Sequence, residues 1–192
     1  MGGGSSDAAA ALLLLAKLWD ISISNQTITE IGATLGSDVP FFLQPLAARG
    51  TGRGEILDPI PLKNLPWALL LHPGFSSPTA GAYVAYAQDP QSAPPGAPIS
   101  LERTDGSILR ILPQNDLEPP VEKKFPWIAS ARTWMEGQSG VLAARMSGSG
   151  STVFSLFADS SHALKAQERA RAYFGPETWI QVARLISGNP AD

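Results

Sequence analysis

The spacing of hydrophobic positions changes several times along the chain, and each change marks an element. Ala8–Trp19 is almost wholly apolar. It is rich in Ala and Leu, both strong helix formers, and predicts a helix whose first turn Ser5 or Ser6 can cap. Apolar nearly all round, that helix is expected to be buried. Thr27 and Glu30 have capping-box spacing and predict a short helix that stops at Gly36. Ser37–Leu43 reads as a loop feeding an apolar strand, and Gly50, Gly52 and Gly54 mark a turn between short strands within residues 47–57.

Trp67–His72 is a continuous apolar run suited to a central strand. Ser77 and Pro78 form an N-cap and N1 pair for a helix reaching about Tyr86. Residues 88–106 carry Pro90, Pro94, Pro95 and Pro98 and predict a surface loop, followed by helical stretches near Ile108–Glu122 and Trp127–Gln138. Val141–Met146 and Val153–Phe157 then predict strands around a turn, Ser160–Phe174 an amphipathic helix, and Trp179–Ile186 a last strand. The order is β-α-(helical insertion)-β-β-α-β, the ferredoxin-like order with an excursion. It predicts one antiparallel sheet from strands near 67–72, 141–146, 153–157 and 179–186. The helices at 78–86 and 160–174 are expected on one face of that sheet.

Composition narrows the function classes. The chain's 192 residues suffice for one large domain or two small ones, and 44% of them are hydrophobic. Charged residues make up 16%, against a usual share of about 25%, so an ordered chain is expected rather than a disordered one. A net charge of -3 gives no basic footprint for nucleic acid, so any bound phosphate must be held locally. Without cysteine, and with His72 and His162 as the only histidines, neither a disulfide nor a histidine-rich metal centre is expected. Ala8–Ala16 follows Asp7 rather than a basic segment and is too short to span a bilayer. The expectation is a cytoplasmic protein with no membrane partner and no metal-ligating residue set.

Small residues carry the candidate chemistry. Gly2-Gly3-Gly4-Ser5-Ser6 at a helix start offers free N–H groups, hydroxyls and the positive end of a helix dipole, all suited to phosphate. No Gly-Lys-Ser/Thr follows, so it is not a Walker A loop, and a flexible leader would carry the same composition. Ser147-Gly148-Ser149-Gly150-Ser151-Thr152 lies between two predicted strands. A two-residue hairpin turn needs no such run, which suggests close approach of something to its backbone. Asp38 sits between Gly36 and Pro40, where a turn or cap is the commoner role; the alternative is to accept a proton from an attacking hydroxyl. Asn115-Asp116-Leu117-Glu118 precedes Pro119-Pro120 and reads first as a helix cap. Thr79 stands in the first turn of its helix, its hydroxyl free for a ligand or the backbone.

In this order, the Gly2–Ala9, Leu35–Phe42, Asn115–Glu118 and Met146–Thr152 segments resemble those of the GHMP small-molecule kinases. The Asp38 and Asn-Asp-Leu-Glu segments point within that superfamily to the branch acting on 4-diphosphocytidyl-2-C-methyl-D-erythritol in non-mevalonate (MEP pathway) isoprenoid biosynthesis. The resemblance implies an α+β fold. Residues 1–62 would be the remainder of an N-terminal ATP-binding domain (ribosomal protein S5 domain 2-like), and 63–192 a C-terminal ferredoxin-like domain with a helical insertion. It implies ATP, accompanied by Mg²⁺, on Gly2, Gly3, Gly4, Ser5 and Ser6, with Ser149 and Gly150 contributing. Asp38 would be the catalytic aspartate, and Thr79 and Tyr83 would line the substrate side. The family also carries strands and a catalytic lysine ahead of its glycine loop. Lys17, Lys63, Lys123 and Lys124 are no evident substitutes, so slow turnover or none is expected of this chain. A nucleotide-binding regulatory protein without turnover, or an interaction module without ligand, remain the alternative readings.

Overall fold

The computed structural model describes residues 1–44 and 47–186. These fall into two compact units, one built from residues 1–63, 103–107 and 186, the other from 64–102 and 108–185. The resemblance's C-terminal domain, 63–192, runs past residue 186 into residues outside this description.

In the first unit, α1 (Gly3–Leu18) starts five residues ahead of the predicted helix. Gly2 is its N-cap, with φ at 69°, and no side chain caps it. Ser5 and Ser6 lie inside the first turn, where the Ser6 N–H donates to the Gly2 carbonyl at 2.9 Å. The expected burial of α1 is not observed: Leu14, Leu18 and Trp19 are 65%, 75% and 62% exposed, and Ala9 alone of its residues is buried. α2 (Asn25–Leu35) and α3 (Val39–Leu43) pack against it, and a helix apolar on every side presents more surface than two short helices cover.

Ser24, not Thr27, caps α2: its Oγ accepts the Thr27 N–H at 3.0 Å. Gly36 ends the helix, as its position predicts. Residues 39–43, expected as loop, form α3. Pro40 presets the helical φ in its first turn. Val39 and Leu43, one turn apart, both close on Gly32 of α2, where an added Cβ would lie 3.1 Å and 2.7 Å from their side chains. The apolar strand expected beyond Leu43 runs into residues 45 and 46, outside the described residues. β1 (Ala48–Thr51) and β2 (Ile56–Pro59) form the predicted hairpin, paired from Ala48↔Pro59 to Thr51↔Ile56. The short β3 (Leu62–Lys63) completes this stretch.

The second unit opens with β4 (Trp67–His72) and α4 (Thr79–Gln88). Pro78 is the N-cap of α4 and Ser77 makes no cap bond, one residue later than the pattern suggests. β5 (Ile99–Arg103) and β6 (Ile108–Ile111) form an antiparallel hairpin, paired from Ile99↔Ile111 to Glu102↔Ile108. That corrects the expectation of a loop followed by a helix. Asp105-Gly106 makes the turn: Gly106 takes φ at 84°, and Asp105 Oδ1 accepts the Ser107 N–H at 2.8 Å. The helical insertion is therefore confined to α5 (Glu118–Lys124) and α6 (Pro126–Glu136).

β7 (Val141–Met146), β8 (Val153–Phe157), α7 (Ser160–Phe174) and β9 (Trp179–Arg184) follow, close to their predicted bounds. The sheet order is β7-β8-β4-β9 with antiparallel pairing throughout, the ferredoxin-like arrangement with β4 inside. Alternate residues Leu69 and Leu71, Val153 and Phe157, and Ala144 and Met146 turn into one core with Ile128, Ala131 and Met135 of α6 and Ala163, Ala166 and Ala170 of α7. The alanines let α7 approach the strands closely. The helix beside α7 on this sheet is α6, whereas α4, expected there, packs mainly against α5. Beyond the alanines, Phe75 stacks on Phe125 with ring centroids 5.2 Å apart, and Trp127 meets Phe174 at 5.6 Å.

Phe157 is fully buried in β8. Phe157→Ala removes a large side chain from a packed core and is expected to cost about 3–5 kcal/mol. Equilibrium denaturant unfolding measures it, and a loss below about 1 kcal/mol would show that this core is not closely packed.

Candidate functional site

In the first unit, the glycine-serine segment singled out by sequence forms the start of α1. The opening N–H groups of a helix have no intrahelical acceptor, so those of Gly3, Gly4 and Ser5 stand at the positive end of the helix dipole. The glycines there differ in kind. Gly2 needs its left-handed φ, and the Phe42 ring lies 3.0 Å from where a Cβ would be. Gly3 and Gly4 have no such constraint: nothing lies within 4 Å of a Cβ placed on either. Asp38 immediately precedes α3, the helix that carries Phe42. Its side chain is exposed, contrary to the apolar setting that Val39–Phe42 suggests, and makes no cap bond.

In the second unit, the turn between β7 and β8 is held at nearly every residue. Ser147 N–H donates to the Thr152 carbonyl at 2.9 Å, and Gly150 N–H to the Ser147 carbonyl at 2.9 Å. Ser151 Oγ donates to the Phe75 carbonyl. The hydroxyls of Thr79 and Ser149 are 2.8 Å apart, so the first residue of α4 is bonded to the loop. Tyr83, one turn on, is 59% exposed. Thr79, Ser149 and Gly150 are thus brought together within one unit.

The Asn115–Glu118 segment, expected to cap α5, ties the end of β7 instead. Asn115 Oδ1 accepts the Leu117 N–H at 3.1 Å, an Asx turn ahead of α5 rather than the expected cap, since no side chain caps that helix. Its Nδ2 also donates to the carbonyls of Met146 at 2.9 Å and Gly148 at 2.7 Å. Glu118 Oε1 accepts the Met146 N–H at 2.6 Å. Arg145 lies behind, its Nε donating to the Pro113 carbonyl at 2.9 Å and its Nη1 to Glu136 at 3.2 Å. Gly96 makes room for it, since a Cβ there would fall 2.6 Å from Arg145 Nη2. A cavity of about 300 Å³ opens beside Glu118, Arg132, Glu136 and Arg145. Its charges already pair with one another, Arg132 with Glu122 at 2.7 Å and with Glu136 at 2.8 Å. Reading the sequence as a cap missed the Asn115 and Glu118 contacts; the signal was a carboxamide and a carboxylate three residues apart beside an apolar core.

Two family profiles match the chain. GHMP kinases N terminal domain covers residues 1–44, and GHMP kinases C terminal covers 101–175. The first takes in Gly2–Ser6 and Asp38, the second Asn115–Glu118 and Ser147–Thr152; Thr79 and Tyr83 lie in neither. The chain belongs to the GHMP kinase family. Among its similar relatives is a 4-diphosphocytidyl-2-C-methyl-D-erythritol kinase of Cereibacter sphaeroides strain KD131, 40% identical over 97% of this chain and 66% of the relative. Another is the protein of that name from Methylacidiphilum infernorum, 37% identical over 97% of this chain and 63% of the relative. This GHMP kinase family chain therefore spans somewhat under two thirds of the length of the curated relatives it matches. A solved 4-(cytidine 5'-diphospho)-2C-methyl-D-erythritol kinase is 34% identical, with a TM-score of 0.68 over 94% of this chain and 65% of that one. A homoserine kinase from Cytophaga hutchinsonii, 14% identical, shares the fold, with a TM-score of 0.71 over 98% of this chain and 66% of its own. Among the described residues no helix is long and apolar enough to cross a membrane.

Burial raises the Glu118 carboxyl above its ordinary value of 4.5, opposed by the Met146 N–H and by Arg145. An acid raised in the folded state holds its proton to higher pH folded than unfolded. Its contribution to stability is therefore full below the unfolded value and declines as pH rises through the folded one. Glu118→Gln keeps the acceptor and removes this dependence. Unfolding free energies measured from pH 4 upwards should fall less steeply for the variant; parallel profiles would refute the assignment.

Proposed function

We propose that this chain takes part in ATP-dependent phosphorylation of the 2-hydroxyl of 4-diphosphocytidyl-2-C-methyl-D-erythritol, in the cytoplasm, within non-mevalonate isoprenoid biosynthesis. The observation that carries the reading is the open space at Gly3 and Gly4 in the first turn of α1. Glycine in a helix costs roughly 1 kcal/mol against alanine. Among the described residues nothing lies within 4 Å of a Cβ at these positions, whereas phosphate oxygens approaching the backbone would call for glycine. On this reading Gly2, Gly3, Gly4, Ser5 and Ser6 bind the ATP phosphates, with Ser149 and Gly150 contributing. Residues 1–62 form the ATP-binding domain and 63–192 the C-terminal one.

Asp38 accepts the proton of the substrate hydroxyl. The hydroxyl oxygen bonds to the γ-phosphorus as the bond from that phosphorus to the bridging oxygen breaks, leaving a phosphomonoester and ADP. Thr79 and Tyr83 present a hydroxyl and an exposed phenol, one helical turn apart, to the substrate. Mg²⁺ would arrive with the nucleotide, whose phosphate oxygens supply its ligands. Among the described residues no group of three His, Cys, Asp or Glu could hold an ion by itself. The Asp38 carboxylate makes no hydrogen bond or ion pair among the described residues, which favours nucleotide binding without turnover as the second reading.

Gly3→Val puts a branched side chain where the nucleotide's phosphates would lie and should weaken ATP binding at least tenfold by calorimetric titration. Unchanged affinity would remove the loop from the site. An ADP-release assay with the cytidyl substrate separates the two readings. In a chain extended to the relatives' full length, where turnover is expected, Asp38→Asn should lower it about 10²–10⁴-fold while leaving ATP affinity unaltered. Equal rates in variant and parent would take the proton transfer away from Asp38.

A further inference from the structure

We propose that Asn115 is a positioning residue that holds the Ser147–Thr152 loop in its working shape, while Glu118 seals only the strand end; the role of Asn115 rests on the reading of this loop as part of the nucleotide site. β7 is an edge strand. In an antiparallel ladder the N–H and C=O of a residue point to the same side, so alternate residues of an edge strand leave both groups unpaired. Met146 is the last residue of β7, opposite Val153, and its polar groups point away from the sheet. Glu118 takes its N–H and Asn115 its carbonyl. These two side chains replace the missing neighbouring strand.

Asn115 reaches further. Its second N–H bond goes to the Gly148 carbonyl inside the loop, so one carboxamide spans the end of the strand and the turn. Three of its four hydrogen-bonding capacities are used: both donor hydrogens on two carbonyls, and one oxygen lone pair on the Leu117 N–H. Gly148 takes φ at 55°, and among the described residues nothing lies within 4 Å of where a Cβ would stand on it. The Gly148 carbonyl is held by the Asn115 carboxamide at 2.7 Å. Beyond it, Ser149 meets Thr79 and Ser151 meets the Phe75 carbonyl, so the loop is tied at both ends. Glu118 holds only the strand end, and glutamine can accept the same N–H.

Asn115→Asp keeps the oxygen that caps Leu117 but turns a carboxylate oxygen toward two carbonyls. Asn115→Ala removes the donors without that repulsion. In either variant, hydrogen exchange of the amides from Gly148 to Ser151 should accelerate at least tenfold, while the Leu69, Leu71 and Ile180 amides stay at the parent's rate. Calorimetric titration with ATP should show a dissociation constant about tenfold higher. Glu118→Gln should match the parent in both measurements. Unchanged exchange in the loop, or equal acceleration throughout the sheet, overturns the positioning role. Local acceleration with unaltered ATP affinity leaves the clamp in place but removes the loop from the nucleotide site, which overturns the functional half of the proposal. A parent chain that binds no ATP sinks the proposed function, and the exchange measurement still decides whether the clamp exists.

Discussion

Much of the second unit depends on how the exposed edge of β7 is satisfied. Among the described residues no strand covers that edge, yet the Met146 peptide group lies in the core and cannot go without partners. A buried backbone N–H or carbonyl without a partner costs about 1–3 kcal/mol. Glu118 and Asn115 remove that cost from the segment entering α5. Burying Glu118 in turn calls for positive charge nearby, which Arg145 supplies from the preceding residue of β7 at 3.9 Å. Arg145 then needs acceptors of its own and finds them in Pro113, Pro94 and Glu136. The proline-rich segment around Gly96 is thereby tied to the sheet. One unpaired strand edge accounts for a chain of contacts that otherwise looks unrelated.

The glycines divide by physical cause, and the division bears on function. Gly140 sits where a Cβ would fall 2.6 Å from the His162 ring, and Gly150 where it would fall 2.8 Å from Met146 sulfur. Both are required by the protein itself. Gly2 and Gly148 adopt left-handed φ values that side chains disfavour. Gly3 and Gly4 belong to neither group, being helical and unobstructed. Gly3 and Gly4 fall within the region matched by the N-terminal GHMP profile.

Local chemistry made some of this molecule legible from the sequence. β4, β7, β8 and α7 follow from apolar runs, alternation and amphipathic spacing, and their bounds agree closely with the observed ones. The β5–β6 hairpin was missed although Asp105-Gly106 marks its turn, because the prolines before Ile99 and the length of the apolar stretch after it favoured loop and helix. α3 was missed because Val39 and Leu43 become a helical pair only when Gly32 is there to receive them.

The sequence by itself determined the β-α-β-β-α-β order, the two glycine-serine segments and the family they resemble, since these rest on residue type and spacing along one stretch of chain. Tertiary structure alone decided that α6, rather than α4, lies beside α7 on the sheet, that α1 remains largely exposed, and that Thr79 meets Ser149. It also turned Asn115 from a cap into a clamp, by bringing it to the Met146 and Gly148 carbonyls more than 30 residues away. The reason is physical: periodicity shows which face of an element is apolar, but the partner that covers it, and the unpaired edge a distant side chain must satisfy, exist only once the strands are placed side by side.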